Sequence, residues 1–202
     1  MLLAIVVSGL AYVELIVVTS HLPRLEVLGI ALAPAAGAGL LFYQEGPKSA
    51  PITCDGVLRT MLAALYRERA GAYRANVMVP DRKKRKLTIR YAVNMEGHLD
   101  RHVQLPVGRG CAGRCYVTGE VTTFDFTKME HSALGVDAKK THLWADLRSI
   151  LSFPIQREDG TNVAVLNVDS SLPIDETGFR DEVTQRAVGL YAELILPIIE
   201  AE

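Results

Sequence analysis

At 202 residues, with 22 Lys plus Arg against 23 Asp plus Glu and a formal net charge of −1, the chain has a charge balance that points to neither a nucleic-acid nor an acidic partner. Its hydrophobic fraction of 49% is enough for a core without staples. Cys54, Cys111 and Cys115 form an odd set without the spacing of a disulfide framework, as expected in a reducing compartment.

Residues 1–43 contain only Glu14, Arg24 and Glu26 as formal charges, and two apolar runs, 2–18 and 25–43, flank the turn His-Leu-Pro-Arg. Each run has the length of a membrane span, about 17 to 25 residues. The expectation is a transmembrane helical hairpin that meets the lipid bilayer through residues 2–43. A cleaved leader lacks a basic start here, and buried core helices would carry more polar residues. Glu14 lies inside the first run, where it must be protonated, paired with a helix neighbour or close to an interface. Gly37 and Gly39 allow close helix approach in the second. Lys48, Arg59, Arg67 and Arg69 follow the second run, against Arg24 in the turn, so the positive-inside rule places the large domain on the cytoplasmic side of the cell membrane.

Residues 44–55 read as a linker with two prolines. Val57, Leu58, Met61, Leu62, Leu65 and Tyr66 then recur at helical spacing to about residue 70. Strands are predicted over 75–79 and 87–93, joined by the basic turn Arg-Lys-Lys-Arg-Lys at 82–86. That turn reads as a solvated hairpin tip or a contact for anionic headgroups; it lacks the aromatics of a single-strand binder. A glycine-rich stretch follows, then a short strand at 121–126 and a polar loop from 127. Residues 148–170, RSILSFPIQREDGTNVAVLNVDS, form two apolar runs around Glu158-Asp159-Gly160, the pattern of an antiparallel hairpin near a sheet centre. A last amphipathic helix places Val183, Ala187, Val188, Leu190, Tyr191, Leu194 and Ile195 on one face.

Strands in the middle and helices at both ends indicate an α+β fold, an antiparallel sheet with helices packed on one face. Gly108, Gly110 and Gly113 satisfy G-x-G-x-x-G, but the weak preceding strand, the break at Gly119 and the lack of a βαβ unit argue against a dinucleotide site. The glycines are better read as serving turn geometry and close packing. His98 and His102 have i, i+4 spacing in a strand-end context, so no metal site is assigned. No nucleophile, base and orienting group form a triad, and no catalytic residue is assigned.

The run LPVGRGCAGRCYVTGEVTTFD, the pair RSILSFPI and GTNVAVLNVDS, and Phe179 opening the last helix together resemble a GAF domain over residues 56–202. The resemblance implies a pocket between the sheet and the elements bridging its central strands. There Phe124, Phe126 and Trp144 would stack on a planar ligand, and Arg114, Asp125, Arg148 and Ser149 would bind its polar groups, beside Cys111. Side chains that complete a core are the alternative.

Two branches of the family fit less well. Cyclic-nucleotide binders carry Asn-Lys where this chain has Asn167-Val168, and Asp181-Glu182 follows Phe179 one residue early. Free methionine sulfoxide reductases keep a cysteine just before an aspartate where this chain has Ala145-Asp146, and Cys111 is offset by one. The resemblance and the apolar runs together lead to the expectation of a membrane-anchored GAF sensor that binds a small-molecule ligand and signals through homodimerisation or a separate output protein, with no cofactor named and no nucleic-acid partner. A thiol reductase using Cys111 and Cys115, and a dimerisation scaffold with a filled pocket, are the rivals.

Overall fold

The computed structural model describes residues 52–81, 83, 85–128 and 146–201. The predicted helical hairpin over 1–43 and most of the linker lie outside them, as do Trp144 and Ala145. Among the described residues no helix is long and apolar enough to cross a membrane.

Helix α1, Cys54–Leu65, starts two residues before the predicted domain boundary because Thr53 caps it, its hydroxyl accepting from the Gly56 amide at 3.2 Å. The chain then passes through a 3₁₀ segment, Arg67–Ala72, into β1, Tyr73–Asp81, and β2, Lys86–Val93. A second 3₁₀ turn, Leu99–His102, leads to the three-residue β3, Gln104–Pro106, and then to α2, Gly110–Thr118. The remaining elements are β4, Thr122–Asp125, β5, Ser149–Gln156, β6, Asn162–Ser170, and α3, Glu182–Glu200.

The six strands form one antiparallel sheet in the order β3-β2-β1-β6-β5-β4. The predicted hairpin is β5 and β6, with Gly160 at φ 80° in its turn. Both faces of the sheet are covered, which a reading with helices on one face does not provide. Tyr73, Ala75, Val77, Leu166 and Val168 point into a core shared with α1 and α3. Their neighbours Met78, Val165 and Ile150 point the other way, into a second core with α2 and β3. Alternation along one strand thus separates two apolar layers instead of core from solvent.

The first layer is closed by Tyr66 stacked on Tyr73 with ring centroids 3.8 Å apart, and by Phe179 meeting both edge-on. Such aromatic pairs contribute about 0.5–1.5 kcal/mol each beyond their area. Helix α3 buries Val188, Tyr191, Ala192 and Ile195, whereas Val183 and Leu190 of its predicted apolar face are 45% and 40% exposed. At Gly189 the helix meets the sheet so closely that a Cβ there would lie 2.8 Å from Phe153.

Candidate functional site

A cavity of about 60 Å³ lies in the second layer, on the sheet face opposite α1 and α3. Arg74, Asn76 and Met78 of β1 and Asn167 and Asp169 of β6 line its sheet side. Ile89, Ile150, Leu105 and, from α2, Cys111 and Ala112 supply apolar walls. Asp100 enters from the 3₁₀ turn before β3.

The polar part is an ion triad. Arg74 Nη2 donates to Asp169 Oδ2 at 3.0 Å and lies 2.8 Å from Asp100 Oδ2. Arg74 is 3% exposed, Asp100 2% and Asp169 6%, so none of the three charges is relaxed by bulk water. Burial pushes the Asp169 carboxyl above its ordinary range; Arg74 opposes the shift and Asp100 adds to it.

Beside the triad runs a chain of amides. Ser152 Oγ donates to Asn167 Oδ1 at 2.7 Å, and Asn167 Nδ2 donates to Asn76 Oδ1 at 2.9 Å. Register explains the arrangement: Asn76 pairs directly with Asn167, Arg74 with Asp169 and Ser152 with Asn167. Period-two placement puts all five side chains on the cavity face.

The glycine stretch leads into α2, which walls the cavity. The Gly108 amide donates to the Gly113 carbonyl at 3.1 Å, and a Cβ at Gly113 would sit 2.9 Å from the Pro106 carbonyl oxygen. Close backbone packing is thus what that position requires. Cys111 Sγ donates to the Thr122 carbonyl at 3.2 Å. Burial pushes its thiol up to about 12, against hydrogen bonding with Ser152, and burial raises Cys115 as well.

Of the residues expected to bind a ligand, Cys111 lines the cavity. Phe124 and Phe126 pack on each other at 4.7 Å between centroids, within the apolar cluster around α2. Asp125 is engaged by Thr127, whose amide and hydroxyl donate to Oδ1 at 3.0 Å and 2.5 Å. Ser149 Oγ donates to the Leu172 carbonyl, while Arg114 and Arg148 are exposed. Trp144 lies outside the described residues. Arg74, Asn76, Asp100 and Asp169 were absent from the expectation, and Asn167 entered it only as a departure from the cyclic-nucleotide pattern. The available signal was Arg74 and Asn76 alternating with apolar residues in a strand, mirrored by Asn167 and Asp169.

An antiparallel six-stranded sheet with the terminal helices on one face and a short helix on the other matches a known architecture. The GAF domain of an Acinetobacter phosphoenolpyruvate-protein phosphotransferase superimposes with a TM-score of 0.59 at 13% identity, over 89% of this chain and 95% of that one. The fold is GAF-like. An A. aeolicus GAF domain in an inactive state gives a TM-score of 0.57 at 13% identity, over 88% of this chain and 98% of that one. Enzymes share the GAF-like fold: a free methionine-R-sulfoxide reductase from Neisseria meningitidis, solved with its substrate, gives a TM-score of 0.51 at 19% identity, over 77% and 95%. No family model matches the sequence, and neither does any curated protein.

Proposed function

We propose that the chain is a membrane-anchored sensor whose GAF-like domain binds a small molecule in the cavity over β1 and β6. The observation that carries this reading is the buried Arg74, Asp100 and Asp169 triad facing a cavity with apolar walls. Replacing a buried ion network by apolar side chains is often neutral or stabilising, so packing alone gives little reason for one at the wall of a cavity. Convergent polar groups in an otherwise apolar pocket are the usual form of a small-ligand site. Anchoring through residues 2–43, with the domain in the cytoplasm, rests on the apolar runs and the basic residues after them. Homodimerisation, or contact with a separate output protein, would carry the signal.

The test is native mass spectrometry of the full chain, beside an Ala112→Phe variant that fills the cavity. A small extra mass on the wild type, lost in the variant, is expected. Protein mass alone for the wild type, under conditions that preserve a control complex, overturns the reading.

A thiol reductase remains the second reading, because Cys111 lines the cavity and a reductase shares the fold. Against it, a thiol held near 12 is almost wholly protonated at neutral pH, and the thiolate is the nucleophile.

A further inference from the structure

Positive charge is concentrated at one corner of the sheet. Residues 81–90 hold six Lys or Arg and one acid, Asp81, and residues 104–118 hold two Arg and no acid, in a chain whose net charge is −1. The fold brings the two stretches together. Lys86 pairs with Pro106 across β2 and β3, and the Val107 amide donates to the Arg85 carbonyl at 3.1 Å. Arg109 is the residue before α2, and a Cβ at Gly108 would lie 3.9 Å from the Val117 side chain. Lys83, Arg85, Arg109 and Val117 are exposed, Val117 to 59%. Among the described residues Lys83, Arg85 and Arg109 form no ion pair, whereas Arg59, Arg69 and Arg157 elsewhere on the domain each meet a glutamate. The Lys86 amine donates to the neutral Gln104, and Asp81 accepts the Lys83 amide.

Like charges gathered in this way repel one another and are relieved by an anionic partner. An exposed apolar side chain set among them suits a bilayer surface, where charged headgroups overlie acyl chains. Single-stranded nucleic acid is held on aromatic platforms, and the one aromatic residue of the two stretches, Tyr116, is half-buried. Resting on the membrane-anchored reading above, we propose that this corner is a second membrane contact: Lys83, Arg85, Lys86 and Arg109 take the headgroups of anionic lipid, and Val117 enters the interface between them. The chain thereby distinguishes an anionic leaflet from a neutral one. Each Lys or Arg near such a surface favours the docked state about fivefold, and salt screens the attraction.

The native thiols are buried, so a dye on Val117→Cys reports this corner, and one on Glu158→Cys, in the exposed turn between β5 and β6, is the reference. The full chain is mixed with vesicles of phosphatidylcholine, or of phosphatidylcholine with an equal amount of phosphatidylserine, each carrying a nitroxide quencher on the headgroup; sedimentation reads attachment. Attachment to both vesicles is expected, with quenching at position 117 and not at 158 that requires phosphatidylserine and fades in high salt. Lys83→Gln, Arg85→Gln and Arg109→Gln together should lower the ratio of docked to undocked domain by about a hundredfold. The comparison of the two vesicles decides the matter even if that variant does not fold. Attachment to both without that quenching pattern overturns the second contact and leaves the anchor standing. Attachment to the phosphatidylserine vesicles alone, with the pattern, upholds the contact and overturns the anchor. Attachment to neither, or to the acidic vesicles alone without the pattern, overturns both. Binding of a single-stranded oligonucleotide that the triple variant loses, with no quenching at 117, reassigns the corner to nucleic acid.

Discussion

Arg74 and Asp169 face each other as a direct register pair across β1 and β6, and their side chains meet at 3.0 Å in a place almost closed to solvent. Backbone register thus fixes the ion pair, and Asp100 reaches it from a turn outside the sheet, 2.8 Å from the same nitrogen. Removing the cation alone leaves two carboxylates buried against each other. Arg74→Leu should therefore cost about 3–5 kcal/mol. The triple replacement of Arg74, Asp100 and Asp169 by leucine should lie much nearer wild type, because no buried charge then lacks a partner. Urea denaturation of the three proteins measures both, and a mild single variant would show that water reaches the triad.

Stability should carry the imprint of Asp169 in its pH dependence. Burial raises its folded-state carboxyl above 3.8, with Arg74 opposing and Asp100 reinforcing. A folded pKa above the unfolded one means the folded chain holds the proton more tightly. That contribution is complete below the unfolded value and is lost as pH rises through the folded one. The stability of wild type relative to Asp169→Asn should thus fall as pH climbs from 3.8 toward neutrality. Denaturation midpoints of the two proteins across that range test it; a difference that stays flat or grows shows the carboxyl is not raised.

The sheet was legible because its strands differ from their surroundings in local pattern. Leu151, Ile155, Val165 and Leu166 flank a turn with an acidic pair and Gly160, which is enough to find β5 and β6. The second covered face was not legible, since α2 has nine residues and its buried apolar side chains are Cys111, Ala112 and Cys115 rather than large aliphatic ones. The site was harder still. Phe124 and Phe126 are the kind of side chain that lines pockets, but they fill a wall of the sheet edge. Asp100 sits in an irregular segment, and only the tertiary path brings it to Arg74. The paired alternations of Arg74 with Asn76 and Asn167 with Asp169 were visible, but an alternating polar face is ordinarily assigned to solvent.

Gly189 offers a test of the opposite face. A Cβ there would come within 2.8 Å of the Phe153 ring, so Gly189→Ala forces α3 away from β5 or turns the ring. Overpacking of this kind costs roughly 1–3 kcal/mol, partly offset by the better helix propensity of alanine. Phe153→Leu in the same chain should recover part of the loss, so the two substitutions should be non-additive. Thermal unfolding of the four members of the cycle reads this out, and strict additivity would mean that helix and ring are not in contact.

The cysteines separate sensor from enzyme most directly. Cys54, the first residue of α1, is 2% exposed, Cys111 is 3% and Cys115 is fully enclosed. For Cys111, a rise from 9.0 to about 12 lowers the thiolate fraction at neutral pH by about a thousandfold, and burial hinders access as well. Thiol labelling of the native chain should therefore be slow and should accelerate in step with unfolding as urea is added. Serine at both Cys111 and Cys115 provides the comparison protein. Neither protein should turn over free methionine sulfoxide. Rapid labelling of one native thiol, together with turnover that disappears in the double variant, would replace the sensor by a reductase, because only an accessible thiolate can attack the sulfoxide.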